Sequence, residues 1–236
     1  LRLSAVAGAA VSAASWTQAV EPFNRPGAAS LRLALAAYSF RDDFSRPGPD
    51  GKPRMDMFRF VDYCAEQGCR GAELTSYYFP PNVTDEQLAQ VRRHAHLRGI
   101  TVTGTAVGND FCHPPGAERD RQVALVKDWI AKAAILGAPH IRVFAGDARG
   151  QSLGDAKKRC IEALEECAEL AGRRGIMLGI ENHGGIVAEA DDLIDIVRTV
   201  KSPWVGINLD TGNFHTDDPY ADLARCAPWA VNVQFK

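Results

Sequence analysis

From residue 31 to the end of the chain, short and almost unbroken apolar runs alternate with amphipathic segments, and this restricts the fold more than any other feature. Leu31-Arg32-Leu33-Ala34-Leu35-Ala36-Ala37-Tyr38 reads as a strand, and Phe58, Val61 and Ala65 then recur at helical spacing. Gly71-Ala72-Glu73-Leu74 is a second strand, and Thr84 with Gln87 opens a helix as a capping box, with Leu88, Val91 and Ala95 on one face. Ile100 to Thr103 is the third strand, and Val123, Val126, Ile130 and Ala133 mark the next helix. His140 to Phe144 is the fourth, followed by a helix carrying Ile161, Leu164, Ala168 and Ala171. Ile176 to Glu181 and Trp204 to Asp210 are the fifth and sixth, separated by a helix with Leu193, Ile196, Val197 and Val200. A short helix around Leu223 leads to Val231-Asn232-Val233-Gln234-Phe235-Lys236, the seventh strand.

Strands apolar on both faces need cover on both faces, and the intervening helices supply it, which is the arrangement of a parallel α/β sheet. Seven strand–helix units point to a (β/α)8 TIM barrel, xylose isomerase-like in the resemblance given below, with the chain ending after the seventh strand and an eighth unit expected beyond Lys236. A doubly wound open sheet is the competing fold. No strand runs into a GxGxxG or GxxxxGK[ST] loop, the phosphate cradle of many open-sheet enzymes, and this favours the barrel.

With 27 Lys and Arg against 29 Asp and Glu, the chain lacks the basic footprint of a nucleic-acid partner. Its 46% hydrophobic and 24% charged residues are those of a globular domain, so disorder, collagen and coiled coil are excluded. The six cysteines form no CxxC pair; zinc or disulfide pairing of Cys64 with Cys69, or Cys160 with Cys167, is set against free structural thiols, which the helical spacing of the second pair favours.

Residues 1–30 differ from the rest. Leu3 to Val20 carries no charge and is rich in small residues, and Glu21 to Gly27 resembles a linker before the barrel domain of 31–236. The pattern suggests the remnant of a twin-arginine-like export signal, hence a periplasmic or otherwise exported protein; an Ala-rich surface helix on a cytoplasmic protein is the alternative. The run is too weakly apolar for stable membrane insertion.

In a parallel barrel the site lies at the carboxyl ends of the strands. Those positions hold Tyr38 and Ser39, Glu73, Asn109 and Asp110, Arg142, Glu181, Asp210 and Gln234. A carboxylate ending an apolar strand, as Glu181 follows Met177-Leu178-Gly179-Ile180, is partly desolvated and must be paired, neutralised or metal-bound. Asp210 stands likewise after Gly206-Ile207-Asn208-Leu209. Two carboxylates from successive strands plus the Gln234 amide oxygen suit a hard divalent cation, Mn2+ or Mg2+ before Zn2+ or Co2+. A salt bridge or a helix N-cap is the structural alternative for either carboxylate alone. His94 and His96 sit among Arg92, Arg93 and Arg98 and read as a solvated basic face; His113 and His140 have no motif around them.

Gly175-Ile176-Met177-Leu178-Gly179-Ile180-Glu181-Asn182-His183, Gly206-Ile207-Asn208-Leu209-Asp210-Thr211-Gly212-Asn213 and Ala36-Ala37-Tyr38-Ser39-Phe40 resemble the sugar phosphate isomerase/epimerase superfamily, the xylose isomerase-like TIM barrels related to endonuclease IV. Gly68 to Leu74 and Ile141 to Gly146 match its second and fourth strands. The resemblance implies a metal held by Glu181, Asp210 and, where the family usually has His, Gln234, with a fourth ligand on an eighth strand. Asn213 stands where relatives often carry another His.

It further implies an isomerase or epimerase that moves a proton next to a carbonyl through a cis-enediolate, on a free sugar or polyol. Glu181 is then the acid/base, His183 and His215 are catalytic candidates, and Tyr38, Glu73, Arg142 and Lys236 are substrate-binding candidates. The alternatives are a metal-dependent lyase or hydrolase on a keto-sugar or glycoside, an endonuclease IV-like phosphodiesterase, and a non-catalytic carbohydrate-binding barrel. A homo-oligomer is compatible with each.

Overall fold

The computed structural model of the protein describes residues 18–28, 32–48 and 51–236. Seven parallel strands form one curled sheet in chain order: β1 (Ala34–Ala36), β2 (Gly71–Glu73), β3 (Thr101–Ala106), β4 (His140–Val143), β5 (Met177–Glu181), β6 (Val205–Asp210) and β7 (Ala230–Gln234). Seven helices connect or cover them: α1 (Arg41–Ser45), α2 (Met57–Glu66), α3 (Asp85–Leu97), α4 (Ala117–Leu136), α5 (Leu153–Arg173), α6 (Ala190–Thr199) and α7 (Pro219–Cys226).

The helices form where their sequence starts and stops them. Thr84 Oγ1 accepts from the Gln87 amide while Gln87 Oε1 accepts from the Thr84 amide, so the capping box of α3 is complete. Ser152 and Asp218 cap α5 and α7 with one bond each, their side chains accepting from the Asp155 and Ala221 amides. At the far end of α4, Gly137 takes the left-handed conformation (φ 75°) that releases the chain toward β4. The buried stripes Val126-Ile130-Ala133 of α4, Leu164-Ala168-Ala171 of α5 and Leu193-Ile196-Val197 of α6 join Ile141, Leu178, Ile180, Ile207 and Leu209 of the strands in one core.

Strand boundaries shift by a residue or two at most strands, and two differences are structurally telling. β1 is only three residues, because Ala37 to Phe40 turn into a single 3-10 turn that the apolar run conceals. β3 extends past Thr103 through Gly104-Thr105-Ala106, where small residues satisfy the crowded barrel interior. All six cysteines are buried free thiols, and burial pushes Cys64, Cys112, Cys167 and Cys226 up to about 12, so they pack as small apolar groups. His94 corrects an expectation: its Nε2 lies 2.9 Å from Asp62 Oδ1 and its ring meets Phe58 edge-on, so it ties α3 to α2 rather than lying on a solvated face.

Residues 1–17, most of the segment that the sequence suggests is an export-signal remnant, lie outside the described residues. Part of the linker is docked: the Phe23 amide donates to Pro228 O at 2.8 Å, and Arg25 Nη2 to Ala230 O at 2.6 Å. Phe23 also reaches toward Gly206 at the start of β6, so this segment covers the amino ends of β6 and β7, opposite the candidate site. Among the described residues no helix is long and apolar enough to cross a membrane.

Candidate active site

The strand ends bring a charged cluster together. β6 is buried along its whole length, and its pleat sends Ile207 and Leu209 to the helices while Asn208 and Asp210 face the barrel interior. Glu181 ends β5 one strand away. Glu181 and Asp210 share one cation, the Lys236 ammonium, which lies 2.6 Å from Asp210 Oδ2 and 3.9 Å from Glu181 Oε1. Asp210 Oδ1 accepts from the Gly212 amide, and the main chain of Asp210 is clamped at both N–H and C=O by the Asn182 side chain. Asp210 is therefore fixed before any ligand binds.

Glu181 is equally constrained. Arg142 Nε lies 2.9 Å from its Oε2, while Asn213 Nδ2 donates to Oε1 at 2.9 Å and His183 Nδ1 lies 3.2 Å from the same oxygen. Arg142 comes from β4, donates through Nη1 to Val107 O and Tyr77 Oη, and lies 4.0 Å above the Phe144 ring. A guanidinium held by a carbonyl, a phenol and an aromatic face has few other places to go. Burial raises the pKa of Glu73 at the end of β2; the Arg142 guanidinium opposes that rise, and the Glu181 carboxylate adds to it.

The cavity beside this cluster has about 140 Å3 and is lined by Asn109, Phe144, Gly146, Asp147, Glu181 and His183. Asn109 builds its wall by exchanging two hydrogen bonds with the Phe144 backbone. Gly146 (φ 110°) is needed there, since a Cβ would lie 2.0 Å from Asp110 Oδ1. Asp110 itself is taken up by the Arg149 guanidinium and the Cys112 amide.

Of the residues expected from the sequence, Glu181, His183, Asp210, Arg142 and Lys236 meet in one place. Tyr38 is half-exposed, with its ring edge-on to Tyr77 at 6.4 Å, and so belongs to the rim. His215 is exposed and makes no polar contact among the described residues. Gln234 is the register partner of Asp210 on β7, and its Oε1 accepts from Asn208 Nδ2 at 2.8 Å. Sequence reasoning passed over Asn208, Asn182 and Tyr77. The first carried a signal, because period-two alternation from Asp210 puts Asn208 on the interior face.

The fit to a divalent ion rests on the shared cation position. Two carboxylates already converge on one positive charge, and their hard oxygens are the donors that Mn2+ or Mg2+ takes. Among the described residues no group of three or more His, Cys, Asp and Glu side chains is arranged to hold a metal.

The fold and this cluster define the class: a parallel (β/α) barrel with paired carboxylates at the carboxyl ends of adjacent strands. Residues 61–236 match the family model described as xylose isomerase-like TIM barrel, and the chain belongs to that family. It is 24% identical over 235 residues to the rhizopine catabolism protein MocC of Rhizobium meliloti, covering 91% of this chain and 67% of that protein. Among solved structures it is similar to a D-psicose 3-epimerase determined in the presence of D-fructose, with TM-score 0.73, 20% identity and coverage of 87% and 73%. It is also similar to D-psicose 3-epimerase with D-tagatose from Clostridium cellulolyticum H10, with TM-score 0.72, 17% identity and the same coverage.

Proposed function

We propose that the protein is an isomerase or epimerase of a free sugar or polyol-derived ketone that moves a proton next to a carbonyl. The observation that carries this reading is the single cation shared by Glu181 and Asp210 beside a cavity of sugar-compatible polarity. The similar epimerases were determined with the ketohexoses D-fructose and D-tagatose, which supports the substrate class.

Glu181 is the base. Its Oε2 is anchored on Arg142, whereas Oε1 faces the cavity with Asn213 and His183, so one oxygen is held while the other can take a proton from carbon. Arg142, wedged on Phe144, keeps that carboxylate from turning. His183 and Lys236 are exposed at the mouth and supply N–H groups to substrate oxygens. Asp210, fully buried and clamped by Asn182, holds charge without reaching substrate. Glu181 and Asp210 would hold a divalent metal, with Mn2+ or Mg2+ favoured and Gln234 as a further oxygen donor; such an ion would supply Lewis-acid stabilisation of the negative charge that develops as the proton leaves carbon. Export to the periplasm and self-association are parts of the same proposal that the site does not address.

The test is incubation with candidate ketoses and keto-polyols in deuterated buffer, with and without a chelator. Deuterium appearing next to the carbonyl, and lost with the chelator, supports the proposal. Binding without exchange, or cleavage of the substrate, overturns it.

A further inference from the structure

Most of the polar groups that line the cavity beside Glu181 are already spent on the protein. Asn109 gives its Oδ1 to the Phe144 amide and an N–H to the Phe144 carbonyl. Asp110 Oδ1 accepts from the Cys112 amide, and its Oδ2 accepts from Arg149 Nε at 3.0 Å and Nη2 at 2.5 Å. Glu181 is taken up by Arg142, Asn213 and His183. Two lining side-chain groups are left over: Nε2 of His183, whose other ring nitrogen is turned to Glu181, and the carboxylate of Asp147. Asp147 stands four residues past the end of β4, exposed, with no hydrogen bond or ion pair among the described residues.

The place of that carboxylate is built by two glycines. The turn after β5 runs through Gly184 and Gly185 in left-handed conformations (φ 68° and 57°). The Ile186 amide then donates to Gly146 O at 3.1 Å, which ties this turn to the loop after β4. A Cβ on Gly185 would lie 2.8 Å from Asp147 Oδ1 and 2.3 Å from Gly146 O. Glycine is therefore what lets the two loops close with the Asp147 carboxylate at the cavity edge. No lysine or arginine lines this cavity among the described residues. Arg149 feels the charge of Asp147, but its guanidinium is turned to Asp110 and leaves that charge only partly offset.

An ionised carboxylate accepts hydrogen bonds and donates none, so it takes hydroxyl groups from a ligand. It repels a second anion, and that repulsion separates ligands of one shape and different charge. We propose that Asp147 is the specificity-determining residue of this cavity. Its carboxylate accepts from hydroxyls at the end of the sugar remote from the reacting carbonyl, and it turns away sugars that carry a phosphate or carboxylate there. Phe144 and Val187 supply the apolar wall against which the carbon side of the same segment lies. Which carbon reacts rests on the proposed function; the charge preference of the cavity does not, and binding alone reads it.

The test compares D-fructose with D-fructose 6-phosphate as ligands of the full chain by NMR titration at neutral pH with Mg2+ present. Wild type is set beside Asp147→Asn, which keeps the shape and loses the charge, and Asp147→Lys, which reverses it. The ratio of the two affinities is compared between proteins, so any effect of Mg2+ on the ester itself cancels. Wild type is expected to favour the free sugar about tenfold, and Asp147→Asn to narrow that ratio about fivefold, the modest factor of one like-charge contact in water. Asp147→Lys is expected to bring the ester level with the sugar. A ratio unchanged by both substitutions overturns the proposal, as does a wild type that prefers the ester or binds neither ligand. Discrimination as expected without deuterium exchange into the sugar drops the isomerase reading and leaves the role of Asp147 standing.

Discussion

The Lys236 ammonium lies 2.6 Å from Asp210 Oδ2, in the position where two buried carboxylates direct their negative charge. Any divalent ion bound by Glu181 and Asp210 must displace that ammonium. Lys236→Met is therefore expected to tighten Mn2+ binding by about fivefold, a modest gain because the lysine side chain is half-exposed and its pairing screened. Isothermal titration of Mn2+ measures it, and weaker binding in the variant would show that Lys236 helps to hold the ion's shell.

Glu181→Gln keeps the shape and the Asn213 contact but removes the charge and the proton acceptor. Deuterium exchange into substrate is expected to fall by about 10²–10⁴-fold. Stability should also fall by about 3 kcal/mol, because the Arg142 charge is left buried without its carboxylate. Exchange rates and urea midpoints check the two effects separately.

Much of this site could be read from the chain, and the division follows a physical line. Strand-end carboxylates announce themselves, since Glu181 and Asp210 terminate apolar runs in which a charge has no other excuse. The capping box of α3 was visible because it is local. The partners of those carboxylates were less visible, because Arg142, Asn213 and Lys236 reach them from other strands and loops, over separations of 26 to 55 residues. His94 was misread for the same reason: its neighbours in sequence are arginines, but its partner Asp62 is on another helix. The contact between His140 and Asn208 joins residues 68 apart in the chain, and no motif marks it.

Two buried titratable groups give the folding stability opposite slopes with pH. Burial raises the Glu73 pKa above its ordinary value of 4.5, so the folded state binds more protons than the unfolded one and stability declines as pH rises from about 4.5 through the folded value. Burial lowers His140 from 6.5 to about 4, so the unfolded state binds more protons in that window and stability is lost as pH falls from 6.5 toward 4. Glu73→Gln is expected to be more stable than wild type at neutral pH, with an advantage that shrinks on acidification. His140→Gln should flatten the acid limb between pH 6.5 and 4. Urea midpoints across that range decide both, and parallel curves for wild type and variant would contradict either assignment.

Gly104 tests whether the fold makes room for the buried His140 ring. Its missing Cβ would sit 2.2 Å from His140 Nδ1 and 3.2 Å from the His140 carbonyl oxygen, so Gly104→Ala must push either a ring or a strand. The expected loss is about 1–3 kcal/mol, the range for overpacking a filled interior. If the ring is the main obstacle, placing Gly104→Ala in a His140→Ala background should cost less than the sum of the single changes, because the deleted imidazole vacates the space the methyl needs. Thermal unfolding of the four proteins gives the coupling directly. Additive losses would place the clash on the β3–β4 backbone and remove the ring from the explanation of why glycine stands at this position.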